Sequence, residues 1–107
     1  MTSPIYFNVP EALDFLLEHR YVYTIRKRRK GDGHQSTIAR MGSYYDFHTV
    51  GNVSVRSVLL LHEEGREAQL SDYVSSSGFH TVQEWLSRVK EWKHPMMLYR
   101  VEFIGGT

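Results

Sequence analysis

The stretch Arg20-Tyr-Val-Tyr-Thr-Ile-Arg-Lys-Arg-Arg-Lys30 joins two kinds of chemistry in eleven residues. Its first half, Tyr21 to Ile25, is aromatic and β-branched, the composition of a strand. Its second half is five consecutive cations, Arg26 to Lys30. Alternation along a strand from Tyr21 to Arg28 puts Tyr21, Tyr23 and Ile25 on one face and Val22, Thr24, Arg26 and Arg28 on the other. Seven of the thirteen Lys and Arg residues lie between positions 20 and 40 against one acid, Asp32, so this window carries +6 while the whole chain carries +1. Charges this dense resist burial, and the end of the strand is expected to project into solvent or into a partner. Lys30-Gly-Asp-Gly-His-Gln35 then holds the Asp-Gly of a loop or hairpin.

Upstream of this strand the sequence predicts a helix. Asn8 is placed to cap it, Glu11 to reach back in a capping box, and Pro10 is tolerated in the first turn. Val9, Leu13, Leu16 and Leu17 share a face at helical spacing, with Glu11, Asp14 and Glu18 toward water. The helix is expected to end near His19 or Arg20.

Downstream, Ser36 to Met41 reads as a return strand, Gly42-Ser43 as a break, Tyr44 to Val50 as β-type sequence and Gly51-Asn52 as a further turn. Val53 to Leu61 is the strongest strand, with a change of phase that predicts a bulge near Arg56-Ser57. Glu63 to Glu67 reads as a solvated loop. Ser71 is placed to cap a short helical turn through Val74, and Gly78 to end it. Thr81 opens a second main helix with Glu84 in the reciprocal capping position. Val82, Trp85, Leu86, Val89 and Trp92 fall on one face of that helix, with both tryptophans expected in the core. His94-Pro95 ends it, and Met97 to Ile104 alternates as a last strand.

Helix, several strands, helix, strand, with short turns and no βαβ rhythm, predicts an α+β domain spanning residues 1–107. A small mixed or antiparallel sheet curls into a barrel flanked by two main helices. The 107 residues suffice for one modest core. The longest apolar run, Val58 to Leu61, has four residues, far short of the roughly 20 that span a bilayer. Met1-Thr-Ser-Pro-Ile-Tyr6 lacks the basic and apolar regions of a secretory signal, so no membrane partner and a cytoplasmic location are expected. Cysteine is absent, which excludes disulfides and thiolate metal sites.

Several cations in one window are what phosphate binding requires, because affinity accumulates with each phosphate neutralised. Arg26, Lys27, Arg28, Arg29, Lys30 and Arg40 are the candidate phosphate contacts. Tyr23, Tyr44 and Tyr45 are the candidates to stack on an unpaired base. The plainer alternative is a solvated charge run with the tyrosines in the core. The six histidines form neither His-x-His nor His-x-x-x-His, so no metal site is expected. No Gly-x-Ser-x-Gly elbow is present, and Gly31-Asp-Gly33 is too short to cradle a phosphate. Asp46, Glu84 and Glu102 could each serve as acid or base, with nothing in the sequence to prefer one. An adaptor that docks an acidic protein partner through the charge run is a third class.

Three further marks bear on the fold. They are the helix running into Tyr23-Thr-Ile-Arg26, the strand Gly51-x-Val-x-Val55, and Ser77-Gly-Phe-x-Thr-Val-x-Glu-Trp85 followed by Tyr99-Arg-Val-Glu-Phe103. Together, over residues 8–104, the chain resembles the ASCH domain, a compact relative of the PUA RNA-binding barrel, and especially its small single-domain archaeal members. The resemblance implies a PUA-like barrel whose site lies in a cleft between the first helix and the barrel wall. It implies a role in RNA metabolism or translation-related regulation, with single-stranded or structured RNA, or a modified nucleoside, as partner, and no cofactor. Thr24 and Arg26 match the family's cleft strand.

One branch of that family removes the acyl group from acetylated cytidine, using a Lys and a Thr of this strand and a distant Glu. The resemblance therefore also implies an alternative, a small amidohydrolase with Thr24 as catalytic residue. Here Tyr21 stands where the Lys is expected, and His19 or Arg20 where a Gly is. A threonine without a lysine to orient or activate it is a poor nucleophile, so Lys27 or Lys30 would have to turn back into the cleft. Glu67 or Asp72 stands near the Glu position. A metal-independent ribonuclease is a further alternative that the resemblance implies.

Overall fold

The chain enters through a strand before its first helix. The computed structural model describes residues 3–27, 29, 34–43, 45–62, 64–89 and 96–104. In order these form β1 (Ile5–Phe7), α1 (Pro10–His19), β2 (Tyr21–Lys27), β3 (His34–Gly42) and β4 (Phe47–Leu61). There follow α2 (Arg66–Leu70), a 3-10 turn (Val74–Ser76), α3 (Val82–Ser87) and β5 (Met96–Phe103). The strands make one sheet ordered β1-β3-β4-β5-β2. β1 runs parallel to β3, and the other neighbours are antiparallel. The result is a compact α+β domain on a curled, mixed five-stranded half-barrel with three helices. Its radius of gyration is 13.0 Å, against ~13 Å for a packed domain of about 100 residues. No described helix is long and apolar enough to cross a membrane.

Two irregularities curl the sheet. The β3–β4 register shifts between Ala39 and Arg40, and the β4–β5 register between Ser57 and Leu59; an extra residue on one strand bends it and increases its twist. The second shift lies beside the bulge expected from the phase change at Arg56-Ser57. The turn expected at Gly51-Asn52 is instead continuous strand, Gly51 pairing with Ala39 and Asn52 with Ile38. A glycine within a strand beside a bulge is a packing feature and not a reversal. The reversal comes earlier. Gly42 has φ +113°, and the Ser43 and Asp46 backbones exchange hydrogen bonds of 2.9 and 3.2 Å.

α1 differs from expectation at its start and ends where expected. Its N-cap is Val9, which makes no side-chain cap, and Pro10 occupies the first turn; Asn8 is therefore not the cap. The buried face is Ala12, Leu13 and Leu16, while Leu17 is 52% exposed. Arg20 ends the helix in the left-handed region at φ 71°, its N–H donating to the Leu16 carbonyl at 2.7 Å. This sharp junction passes the chain directly into β2.

Ser71, expected to open a helical turn, closes α2 instead, and α2 begins inside the segment expected to be loop. α3 has the expected cap: the Glu84 N–H donates to Thr81 Oγ1 at 3.0 Å, and Glu84 Oε1 accepts from the His80 N–H at 3.2 Å. It ends at Ser87, short of the expected Trp92, which lies outside the described residues together with His94 and Pro95. Trp85 is in the core, at 4% exposure.

Apolar side chains pack on both faces of the paired strands β2 and β5. Val22, Tyr99 and Val101 join α1, β1 and Val55 in one cluster. Leu98 and Met96 join Trp85, Phe79 and Leu70 in the other, with Tyr23 and Ile25 against them. The alternation read from Tyr21 onward is thus correct, but both of its faces are covered. Val9 packs against both clusters.

Candidate functional site

Where the two clusters meet, at the end of β2, the packing leaves a cleft of about 630 Å³. The first turn of α1 forms one side (Asn8, Val9, Ala12), and the end of β2 with Arg29 forms the floor (Thr24, Ile25, Arg26, Lys27). The end of α3 forms the facing side (Trp85, Ser87, Arg88, Val89), and Phe7, Phe79 and Met96 complete it. Register with β5 positions the floor, Thr24 opposite Tyr99, Arg26 opposite Met97 and Lys27 opposite Met96.

Arg26 is the unusual group. It lies on the Val22–Thr24 face of the strand, with Cζ 4.8 Å from the centre of the Phe7 ring. Its Nε is enclosed without a hydrogen-bond partner. The ion pairs seen among the described residues, Glu18–His19, Glu11–Arg88 and Glu102–Arg100, do not include it. Burial, followed by repulsion from Arg29, pushes its pKa down to about 10 against an opposing pull from Tyr99, so it remains a cation at neutral pH. Arg26 is thus half-buried in the cleft wall, whereas Lys27 next to it is exposed. Strand alternation turns Arg26 to the Val22–Thr24 face, and the cleft gives it space.

Arg29 also lines the cleft, but it is tethered. Its N–H donates to the Tyr99 hydroxyl at 2.7 Å, Nε donates to Gln35 Oε1 at 3.1 Å, and Nη2 donates to the Ser3 carbonyl. All three partners are neutral. Burial lowers its pKa, again with Tyr99 opposing. Lys27 is exposed at the rim. Thr24, 8% exposed, contributes its side chain to the floor.

Arg88 is the fourth cation of the cleft, and it is paired. Its Nη2 donates to Glu11 Oε2, while Glu11 Oε1 is enclosed without a partner. Glu11 therefore serves a long-range ion pair and not the capping box expected of it. No signal in the sequence connects the two residues, which are 77 positions apart.

The residues expected to bind RNA divide. Thr24, Arg26, Lys27 and Arg29 come together in the cleft. Tyr23 lies on the other face of β2, its ring tilted against that of Tyr73 with centres 4.9 Å apart and its hydroxyl accepting from Arg100 Nη1 at 3.1 Å. Arg40 packs against the rings of Phe47, at 4.1 Å, and Tyr6, at 5.8 Å, and donates to the Tyr6 hydroxyl at 2.9 Å. Tyr45, 93% exposed, sits at the β3–β4 reversal. Neither Arg40 nor Tyr45 lines the cleft. Arg28, Lys30 and Tyr44 lie outside the described residues. Sequence reasoning missed Phe7, Phe79 and Arg88 as cleft residues and assigned Trp85 to the core alone.

Among the described residues there is no group of three or more His, Asp or Glu that could hold a metal ion. Chemically, the arrangement offers uncompensated positive charge beside aromatic walls, which suits an anionic ligand with a flat apolar part. Comparison of the chain with protein-family models, curated proteins and solved structures finds no match.

Proposed function

We propose that this chain is an RNA-binding module of the PUA-like, ASCH type, acting in RNA metabolism or translation-related regulation and taking RNA at the cleft. The observation that carries the reading is Arg26, a cation without a carboxylate partner among the described residues, lining a cleft beside Phe7 and Trp85. Holding a half-buried charge with its Nε enclosed and no opposite charge beside it is unfavourable. A site that bears this cost is suited to a ligand that brings the opposite charge. Lys27 and Arg29 add to the field, and the aromatic walls offer a surface for a base. A helix running into the cleft strand of a curled mixed sheet is consistent with the resemblance read from the sequence.

Binding of single-stranded RNA, followed by fluorescence anisotropy, should weaken steeply as salt rises from about 50 to about 200 mM. Lys27→Ala should reduce the slope of log affinity against log salt by about 0.7, the value for one phosphate contact on a single strand. Binding no stronger than that of an acidic control protein at low salt removes the reading.

A second reading has one observation in its favour. Thr24 and Lys27 both line the cleft, so a lysine shares the cleft with the threonine although Tyr21 occupies the family's position. As an amidohydrolase the protein would release acetate from acetylated cytidine, and Thr24→Ala would abolish turnover. An absence of acetate at high protein concentration eliminates this activity.

A further inference from the structure

We propose that the cleft seats a single phosphomonoester, the terminal phosphate of an RNA or free phosphate, between Arg26 and the uncapped first turn of α1. This seat lies in the cleft already assigned to RNA and rests on that reading.

Charge matching favours a monoester over the internal diester of a strand. Arg26 and Arg29 are near enough to repel one another, and the partners described for Arg29 are a hydroxyl, a side-chain amide and a backbone carbonyl, all neutral. A phosphomonoester carries about −1.5 to −2 near neutral pH and compensates both guanidiniums. An internucleotide diester carries one charge and leaves the other uncompensated. The remaining cation of the α3 side, Arg88, is already held by Glu11.

Donor geometry points the same way. α1 is ten residues long, and Asn8, Val9 and Ala12 at its start line the cleft. Val9 has no side chain that can cap, Pro10 has no N–H, and among the described residues no side-chain cap is seen at this helix start. A helix N-terminus with free amides carries partial positive charge and favours anions. Alone it would be an ordinary helix end; here it shares its cleft with an arginine whose Nε has no partner. The volume of about 630 Å³ falls within the roughly 300–1,000 Å³ of small-ligand sites, which is room for one nucleotide.

The test compares short single-stranded RNAs bearing a 5′-phosphate, a 3′-phosphate or neither, with inorganic phosphate and sulfate as competitors. One phosphorylated RNA should bind at least about tenfold more tightly than the unphosphorylated one, and inorganic phosphate should compete. Because the second phosphate ionisation lies near pH 6, the preference should shrink as pH falls from about 7.5 to about 5, whereas competition by sulfate, doubly charged throughout, should not. Arg26→Met should remove the preference. Val9→Thr, which supplies a capping hydroxyl at similar size, should reduce it a few-fold without lowering the melting temperature.

Equal affinity for all three RNAs overturns the seat and leaves the RNA reading intact. Phosphate binding that gains nothing from attached RNA keeps the seat and removes the RNA reading. A preference that survives in folded Arg26→Met overturns the seat as assigned.

Discussion

Gly78→Ala is expected to lower the midpoint of thermal unfolding by on the order of 10–20 °C. Gly78 has φ +94°, and a Cβ there would lie 2.3 Å from the Glu11 carbonyl oxygen, 2.7 Å from its carbon and 3.1 Å from the Ala12 nitrogen. Placing an L-residue in the left-handed region costs roughly 1–2 kcal/mol. Forcing extra volume into a packed site adds about 1–3 kcal/mol. The obstructing atoms are helix backbone, which cannot rotate aside as a side chain would. At roughly 4 °C per kcal/mol for a domain of this size, the two effects give the stated range. Function should suffer as well, because Gly78 holds Phe79 on one side of the cleft and meets the first turn of α1 on the other. Calorimetry on the variant checks this; a shift of under about 3 °C would show that α1 and the Ser77–Phe79 segment can separate at little cost.

Arg26→Met is expected to do the opposite to stability. Replacing a half-buried charge that has no carboxylate partner among the described residues by an apolar side chain of similar length is often neutral or stabilising by about 1–4 kcal/mol. The variant loses the contact between the guanidinium and the Phe7 ring, worth about 0.5–1 kcal/mol at a partly exposed site. The net expectation is a melting temperature between unchanged and about 14 °C higher, in low salt and without phosphate. Stability gained by removing a residue that function requires is the usual trade at a binding site. If the melting temperature falls by several degrees, Arg26 supports the fold and its unpaired state is not kept for a ligand.

Features set by neighbours in sequence were legible. The strand from Tyr21, its alternation, the helix before it, the Thr81–Glu84 cap and the phase slip in β4 all depend on residues a few positions apart, and all appear in the fold. The features that were not legible depend on distant partners. β1 has three residues, and its strand character comes from parallel pairing with β3 some 34 positions away. Gly51 resembles a turn until its partner Ala39, 0% exposed beside a bulge, is known. Asn8 satisfies the local rules for a cap, yet the helix starts one residue later, with Val9 at the cap position and no side-chain cap from it.

The site was half legible for the same reason. Thr24, Arg26 and Lys27 are found by reading along one strand, and Arg29 follows from its proximity. Phe7, Phe79, Trp85 and Arg88 reach the cleft only through folding. The candidate contacts Tyr23, Arg40 and Tyr45 do not join those cations in the cleft, because Tyr23 lies on the opposite strand face and the other two lie on the β3–β4 hairpin. A charge run marks a candidate region, but it does not reveal which charge the fold leaves without a partner.

The most direct measurement is a titration of single-stranded RNA into wild type and Arg26→Met side by side at low salt, with the melting temperature of each recorded in the same buffer. The account predicts that wild type binds, that the variant binds at least about tenfold more weakly, and that the variant melts no lower than wild type. Equal RNA binding by a folded Arg26→Met protein would contradict it.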